Sequence, residues 1–242
     1  CIEPHWDDIF GSAGRAAVAL ADTGETISLH TVRAKSLSAG IENLSAAFGI
    51  DATGPEVEEG VEFEYMHSLG TPRITPRPDA IPQCPPFEVV GDVVLRFGML
   101  EGGARVAGGR VVYDPQSAFD PRPYHENGSS AETLAVIWNR LDGRRLCGRT
   151  EPSEIVEHIL DEWKADVVVL KMGGHGAMVH VRGETPVPVP AYRSENVWKI
   201  GSGDVFSAAF AYYWGKLEKP AAEAADLASR ATSYYCGTRS LP

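Results

Sequence analysis

Apolar strands that alternate with helical segments are the feature that most limits the fold of this chain. Segment 166–170 contains Val167-Val168-Val169-Leu170, and the amphipathic pattern at 154–163 directly before it predicts a helix. Segment 89–97 is also rich in valine and leucine. Strands that are apolar on both faces are typical of a parallel sheet buried on both sides. We therefore predict an α/β fold with a mostly parallel central sheet and helices on both faces.

Several further elements follow from periodicity. Apolar residues at helical spacing predict a helix over 37–48, and Gly49 then ends it as a C-cap. The other predicted elements are strands at 26–32, 110–113 and 176–181, and helices starting at 16–21 and covering 204–213 and 221–235.

Segment 129–142 is ambiguous. Ser129 and Glu132 have the spacing of a capping box, which favours a helix. The run Leu134-Ala-Val-Ile-Trp138 suits a buried strand equally well. We predict a short helix followed by a strand.

Alternation of apolar and acidic residues marks segment 60–76. Val61, Phe63 and Tyr65 alternate with Glu62 and Glu64, and prolines follow Thr71. This pattern predicts a pair of partly exposed strands. We expect a small β-lid near 56–76, which is also a candidate surface for a homodimer.

Length and charge limit the class of protein. A chain of 242 residues suffices for one large α/β domain, which we expect to span 1–242. A net charge of −11 without Lys/Arg stripes argues against a nucleic acid or an acidic membrane as partner. The four cysteines form no C-x-x-C pair, so neither zinc nor a disulfide framework is indicated. Since the chain shows no signal peptide, we expect a cytoplasmic protein, and because it starts at Cys1 we expect preceding residues to be missing.

The segment Gly201-Ser202-Gly203-Asp204 precedes an apolar helical run. Such a turn can present backbone N–H groups to an anion at the positive end of a helix. A carboxylate inside an anion site can accept a proton from a hydroxyl that attacks a phosphate. The alternative is a plain helix N-terminus with Asp204 as a stabilising first-turn acid.

Other polar or glycine-rich turns are predicted on the same rim, at the carboxyl ends of strands where α/β sheets bind ligands. They are 11–14, Asp114, Asn139 with Asp142, and 173–176. Asn139 and Asp142 can equally be a solvated pair. A dinucleotide-binding oxidoreductase would need an early G-x-G-x-x-G after a strand, and the chain has none.

These segments together resemble the ribokinase-like (PfkB) carbohydrate and nucleoside kinases. Gly201-Ser-Gly-Asp-Val-Phe206 resembles the specific G-A-G-D-x-F signature of that family. Four weaker segments occur in the family's order and resemble its N-terminal glycine motif, its F-D-P strand end, its N-x-x-E motif and its T-x-G-x-x-G nucleotide segment. They are 11–24, 112–115, 139–142 and 168–178.

The resemblance implies ATP-dependent phosphorylation of a hydroxyl on a small polar metabolite, with Mg²⁺ on the phosphates. A sugar is the leading acceptor and a nucleoside the second; the alternative is a catalytically silent ligand-binding protein of the same fold. Asp204 would be the general base, and the anion hole would be Gly201, Ser202 and Gly203. The implied nucleotide-binding residues are Lys171, Gly173, Gly176 and Ser229. The implied substrate-binding residues are Asp8, Gly11, Ser12, Gly14 and Arg15, and the implied metal residues are Asn139 and Asp142.

The chain departs from the family pattern at the acceptor side. Arg15 stands where the family has Asn; it either binds an acidic or phosphorylated acceptor or forms a salt bridge with Asp7 or Asp8. The family's first strand and its sugar-binding Asp are not recognisable, so Asp8 or Glu3 substitutes or the group precedes Cys1.

Two more departures concern ions. Trp198, Lys199 and Ile200 replace the D-T-T that helps to hold a monovalent cation in the family, so we expect that site to be lost and the Lys199 ammonium to take its place. Asp142 replaces a Glu and has a shorter reach. Arg96, inside a predicted buried strand, should have a carboxylate partner in Asp92 or Asp114.

Overall fold

The computed structural model describes residues 9–116, 121–139 and 147–241. Its helices are α1 Gly11–Ala19, α2 Ser38–Phe48, α3 Pro152–Glu162, α4 Ser202–Phe210 and α5 Ala221–Thr238. Its strands are β1 Ser28–His30, β2 Arg33–Ala34, β3 Asp51–Thr53, β4 Glu56–Val57, β5 Glu62–Glu64, β6 Arg73–Thr75, β7 Phe87–Phe97, β8 Ala104–Asp114, β9 Ser130–Asn139, β10 Val167–Lys171, β11 Ala177–Val181 and β12 Val187–Val189.

The main sheet has the strand order β12-β11-β10-β9-β8-β7. β7, β8, β9 and β10 run parallel, whereas β11 and β12 are antiparallel to their neighbours. The predicted mostly parallel sheet is therefore confirmed. Parallel pairing aligns the carboxyl ends of β8, β9 and β10 on one edge of the sheet.

Helices cover both faces of this sheet because side chains alternate along its buried strands. On one face, Val112, Ile137 and Val169 pack with residues of α4 and α5. On the other face, Val136 and Val168 pack with residues of α3. Both layers were predicted from the apolar strands, and both are present.

The N-terminal part of the chain forms a smaller layer beside the sheet. β1 pairs with β3 in parallel, and α2 between them places Leu44 in a cluster with Leu29 and Ile50. Helix α2 ends as predicted at Gly49, whose φ of 66° suits a residue without Cβ. Helix α1 packs against α4, which links this layer to the sheet.

The predicted strand pair at 60–76 is the antiparallel β5–β6 hairpin, in which Phe63 pairs with Ile74. Phe63 is 44% exposed, so the hairpin presents apolar as well as acidic side chains to its surroundings.

Two predicted elements need correction. The short helix predicted after Ser129 is part of strand β9, because Leu134–Trp138 is buried on both faces of the sheet. The Ser129 hydroxyl does not cap a helix; it accepts a hydrogen bond from the Val106 N–H (3.0 Å) and donates to Asn127 (2.7 Å). Helix α4 ends at Phe210 and continues as a π-helical turn over 211–216.

The contacts of Arg96 also differ from those predicted. Its guanidinium lies over the rings of Tyr113 (5.0 Å) and Tyr124 (5.3 Å). It donates to the Tyr124 carbonyl (3.1 Å) and to the Ser129 hydroxyl (2.9 Å). The prediction of a carboxylate partner was wrong: aromatic faces and neutral oxygens contact this cation, its Nε has no hydrogen-bond partner, and burial lowers its pKa.

Across the residues that the structure describes, no helix combines the length and the apolar character needed to cross a membrane.

Packing of α3 on the sheet predicts a clear difference between two substitutions in one helix. Ile159 is fully buried, whereas Glu157 is exposed. Ile159→Ala should lower the free energy of unfolding by about 2–5 kcal/mol, because it removes buried methyl groups and leaves a cavity. Glu157→Ala should change it by less than about 0.5 kcal/mol. Urea unfolding of both variants is the measurement, and equal stabilities would contradict this packing.

Candidate active site

The candidate site lies at the carboxyl ends of adjacent parallel strands. Asp114 ends β8, Asn139 ends β9 and Lys171 ends β10. Asn139 and Lys171 are register partners, so they lie side by side at the edge of the sheet. This is the position at which open α/β sheets bind ligands.

The turn before α4 brings a carboxylate to the same edge. Gly201 has a φ of 81°, and α4 begins at Ser202 with Asp204 in its first turn. A Cβ at position 201 would overlap the side chain of Arg15. Glycine is therefore required here both by the backbone and by the space that Arg15 occupies.

Two donors bind the Asp204 carboxylate. Arg15 Nη1 donates to Oδ2 at 2.8 Å, and Gln116 Nε2 donates to Oδ1 at 2.7 Å. Ser12 Oγ in turn donates to Gln116 Oε1 at 2.5 Å. Ser12 and Arg15, both expected at the acceptor side, are thus brought together around the expected base. The salt bridge of Arg15 is formed with Asp204, and Asp7 and Asp8 lie outside the described residues.

Burial and these donors act on Asp204 in opposite directions. Burial is the larger effect and raises the pKa of Asp204, while Arg15 and the hydrogen bond from Gln116 lower it. Tyr65, just after β5, is close enough that the charge of Asp204 adds to burial in raising the pKa of that phenol. The β5–β6 hairpin therefore reaches the neighbourhood of the carboxylate.

A second buried ion pair lies beside the first. Lys171 Nζ contacts Asp114 Oδ2 at 2.7 Å, and the Ser207 hydroxyl donates to the same oxygen at 2.6 Å. The Lys171 ammonium also adjoins the turn, since a Cβ on Gly203 would lie 3.4 Å from its Nζ. A positive charge thus stands next to the backbone that was expected to bind an anion.

The amides of that turn are not equivalent. The Ser202 N–H donates to the Lys199 carbonyl at 3.1 Å, and the Ser202 hydroxyl donates to the same oxygen. Of the three residues expected to form an anion hole, Ser202 therefore already has a backbone partner for its N–H.

Glycines expected near ligands have different surroundings. Gly11 and Gly173 have positive φ and open space where a Cβ would lie. Gly14 is buried against Leu44. At Gly176 a Cβ would overlap the Val189 carbonyl, so this glycine permits the approach of β12.

Ser229, expected at the nucleotide, is buried in α5. Its hydroxyl donates to the Pro190 carbonyl at 2.6 Å and so holds the segment after β12 against the helix.

Of the two residues expected to bind metal, Asn139 is described and Asp142 lies outside the described residues. Asp8, expected at the substrate, also lies outside them. Within 9–116, 121–139 and 147–241, no group of three or more His, Cys, Asp and Glu side chains could hold a metal ion. Mg²⁺ takes few protein ligands and keeps phosphate and water oxygens, so the Asn139 amide oxygen fits such an ion.

The segment 198–200 is tied to the end of α5. The Trp198 N–H donates to the Cys236 carbonyl at 3.0 Å, and the Tyr235 hydroxyl donates to the Ile200 carbonyl at 2.7 Å. The Arg239 guanidinium lies 3.8 Å from the centre of the Trp198 ring. The cation that stacks on this segment is thus Arg239, and both Arg239 and Lys199 are exposed.

Sequence reasoning missed Gln116 and singled out Tyr65 only as part of a strand pattern. Gln116 follows the strand end Asp114-Pro115 and has a φ of 39°, which is unusual for a residue with a Cβ. The strand end was recognised, but nothing in the sequence pairs Gln116 with a carboxylate 88 positions away.

A cleft of about 2690 Å³ is lined by Arg15, Gln116 and Asp204. Its walls include α1, the β5–β6 hairpin and strand β7, and Asp204 lies among its lining residues.

Comparison with known proteins identifies the family. The model of the pfkB family of carbohydrate kinases matches residues 104–241, more than half of the chain. The chain belongs to the pfkB carbohydrate kinase family. No curated protein matches it significantly.

Solved structures share its fold. A nucleoside kinase of Burkholderia thailandensis in complex with inosine has a TM-score of 0.67 and 15% identity, over 95% of this chain and 81% of that one. A fructokinase of Vibrio cholerae O395 bound to fructose, ADP and calcium ion has a TM-score of 0.64 and 14% identity, over 96% of this chain and 86% of that one. A pyrophosphate-dependent kinase in the ribokinase family, complexed with a pyrophosphate analogue and myo-inositol, has a TM-score of 0.59 and 13% identity, over 93% of this chain and 86% of that one. The ribokinase-like fold is thereby confirmed.

The contact between Gly201 and Arg15 can be tested with two glycines of nearly equal φ. Gly201 and Gly183 have φ values of 81° and 79°, but a Cβ at Gly183 would meet open space. Both Gly→Ala variants should lose about 1–3 kcal/mol from backbone strain. Gly201→Ala should lose about 1–3 kcal/mol more, because its methyl group displaces Arg15. Equal losses in urea unfolding would show that Arg15 does not fill this space.

Proposed function

We propose that this protein is an ATP-dependent phosphotransferase that phosphorylates a hydroxyl of a small sugar-like metabolite, with Asp204 as general base. The observation that carries the proposal is the buried Asp204 carboxylate in the first turn of α4, facing the cleft directly after a positive-φ glycine. Membership of the pfkB carbohydrate kinase family supports the same reaction class.

The proposed task of Asp204 is to accept the proton of the attacking hydroxyl. A carboxylate oxygen has two lone pairs, so an oxygen bonded by Arg15 or Gln116 can still accept one hydrogen bond from an acceptor hydroxyl. Burial increases the affinity of Asp204 for a proton, which favours transfer as the oxygen–phosphorus bond forms.

Charge on the transferring phosphoryl group would be held by the start of α4. The first N–H groups of a helix lack partners within the helix and lie at its positive end. Gly201 and Gly203 are half-buried, and the cations of Arg15 and Lys171 lie beside this backbone. Fixed donors at this point stabilise the transition state because they need no reorganisation.

Nucleotide and metal would lie on the other side of the turn. At Gly173 and Gly174 a Cβ would meet nothing within 4 Å, so a nucleotide can approach that backbone. Asn139 and Asp142 are the residues that would hold Mg²⁺, which supplies neutralisation of phosphate charge when bound.

The proposed acceptor is uncharged. The charge of Arg15 is compensated by Asp204, and the cleft is lined by the acidic side chains Glu59, Glu62 and Glu64. Both features disfavour an anionic acceptor and suit a polyhydroxylated molecule such as a sugar, with a nucleoside second.

The β5–β6 hairpin is proposed as the lid over this acceptor. It lines the cleft, and Tyr65 next to it lies near the carboxylate. The hairpin region also exposes Phe63, Met66 and Leu69, through which we propose a homodimer.

A catalytically silent ligand-binding protein is the second candidate. The observation in its favour is that both Asp204 oxygens already accept hydrogen bonds from protein side chains. Turnover with any acceptor decides between the two functions.

The proposal predicts strong dependence on the Asp204 carboxylate. With ATP, Mg²⁺ and a panel of sugars and nucleosides, the protein should phosphorylate some acceptors, and Asp204→Asn should reduce kcat by at least about 10²-fold. A parallel panel with pyrophosphate as donor checks the donor assignment. The measurement is phosphorylated product by mass spectrometry together with initial rates.

Asp161→Asn is the matched control, because Asp161 is an exposed acid on α3, on the other side of the sheet. Its activity should equal that of the unmodified protein. Undiminished activity in Asp204→Asn would disprove Asp204 as the base. Saturable ligand binding with no turnover for any acceptor and donor would establish the binding protein instead.

The site should also work without potassium. The segment at which the family resemblance implies a monovalent cation site is held here by Trp198, Tyr235 and Arg239 through protein contacts. We expect kcat in potassium chloride and in choline chloride of equal ionic strength to differ by less than about twofold, since a fixed guanidinium replaces the ion. Activation by potassium of tenfold or more would show that an ion site persists.

A further inference from the structure

Three side chains are linked by hydrogen bonds to the proposed base Asp204, either directly or through one another. Helix α1 contributes Ser12 and Arg15, which are three residues apart and therefore lie on one face of the helix. Ser12 bonds Gln116, Gln116 bonds one oxygen of Asp204, and Arg15 bonds the other. Three separate elements, α1, the end of β8 and α4, are joined through one carboxylate.

The Arg15–Asp204 pair is buried. The side chains of Arg15 and Asp204 are 12% and 8% exposed. Exposed ion pairs contribute little because water screens them, whereas removing one partner of a buried pair leaves an uncompensated charge. The state of Asp204 must therefore depend on Arg15.

The position of Arg15 is fixed by more than the ion pair. Its Cδ, Nε and Cζ atoms fill the space that Gly201 leaves free, and Cζ lies 5.7 Å from the centre of the Phe10 ring. The guanidinium is held at one place relative to the turn that carries Asp204. This geometry fixes the orientation of the carboxylate and also favours its ionised form.

We propose that Arg15 is the positioning residue of the catalytic base: with Gln116, it holds Asp204 in its charged form and in one orientation, and it does not bind an anionic group of the acceptor. The proposal rests on the kinase function proposed above. It assigns to Arg15 an effect on the base in place of a contact with substrate.

Among the groups that face Asp204, Arg15 has the largest effect on its charge. From β8, Asp114 acts to raise the pKa of Asp204, but its charge is compensated by Lys171 of β10 at 2.7 Å. From the hairpin region and from α5, Tyr65 and Tyr235 face it as neutral phenols, since burial raises the pKa of both. Among the described residues, Arg15 is the cation in direct contact with the carboxylate.

The pH dependence of kcat/KM tests the proposal. Loss of the cation in Arg15→Met should move the acid limb to higher pH by about 1–3 units, as expected for a carboxylate that loses an adjacent opposite charge. Activity should recover towards the original plateau above that limb. Arg15→Lys keeps the charge and should keep the acid limb near its original position.

Two other outcomes of this experiment would overturn the proposal. If Arg15→Met raised KM at every pH and left the acid limb unmoved, Arg15 would be an acceptor-binding residue. An equal loss in Arg15→Lys and Arg15→Met, without a shift of the limb, would show a purely structural role.

Stability gives a readout that does not depend on turnover. Burial already raises the pKa of folded Asp204, and loss of Arg15 raises it further. The folded variant then binds a proton at pH values where the unfolded chain has lost it, so the variant loses stability as pH rises from about 4 to 7. The destabilisation by Arg15→Met should therefore grow over this range. In the Asp204→Asn background, the same substitution should have a pH-independent effect.

Arg33→Met is the control, because Arg33 forms an exposed ion pair with Glu56 across β2 and β4. Its effect should be small and nearly constant with pH. A pH-independent effect of Arg15→Met in the Asp204-containing protein would disprove the coupling. Turnover absent in every variant, with the coupling present, would refute the kinase function while leaving the Arg15–Asp204 pairing established.

Discussion

Parallel pairing of β8, β9 and β10 is the constraint on which the rest of the structure depends. Their central residues, such as Val112, Ile137 and Val169, are fully buried between helical layers, so the register of the strands is fixed by packing on both faces. With the register fixed, the residues at the strand ends have no freedom of position. Asn139 and Lys171 are side by side for this reason, although 32 positions separate them in the chain and neither packs in the core.

At the edge of the sheet, compensation of charge determines which side chains lie together, whereas at its centre packing of apolar side chains does so. Asp114 and Asp204 are both buried, and each has a cation within 2.8 Å. Without Lys171 and Arg15, burial of the two neighbouring carboxylates would be strongly unfavourable. Two carboxylates thus lie at the proposed reaction centre, and each forms an ion pair with a cation from a different helix or strand.

Much of the fold and part of the site followed from the sequence. The apolar strands, the α3 amphipathic pattern and the Gly49 helix end were sufficient because they depend on local periodicity and on backbone conformation. In segment 129–142 the strand was predicted correctly and the short helix before it was wrong, because the capping-box spacing is local whereas pairing with β8 and β10 extends the strand back to Ser130. Arg96 and Gln116 could not be assigned, because aromatic faces and a carboxylate distant in sequence supply their contacts. The turn at Asp204 was recognised from its glycines, while the identity of its cation required the packing of α1 on α4.

The contact between Arg15 and Gly201 has a consequence for how this protein can change over evolutionary time. A side chain at position 201 would meet both an unfavourable positive φ and the side chain of Arg15, and Asp204 is left uncompensated if Arg15 is replaced alone. Positions 15 and 204 therefore form one heritable unit, in which a tolerated change at Arg15 requires another donor to the carboxylate. Relatives with a smaller residue at position 15 are expected to carry such a donor elsewhere, so that the residues at 15 and 116 should be correlated across the family while position 201 stays glycine.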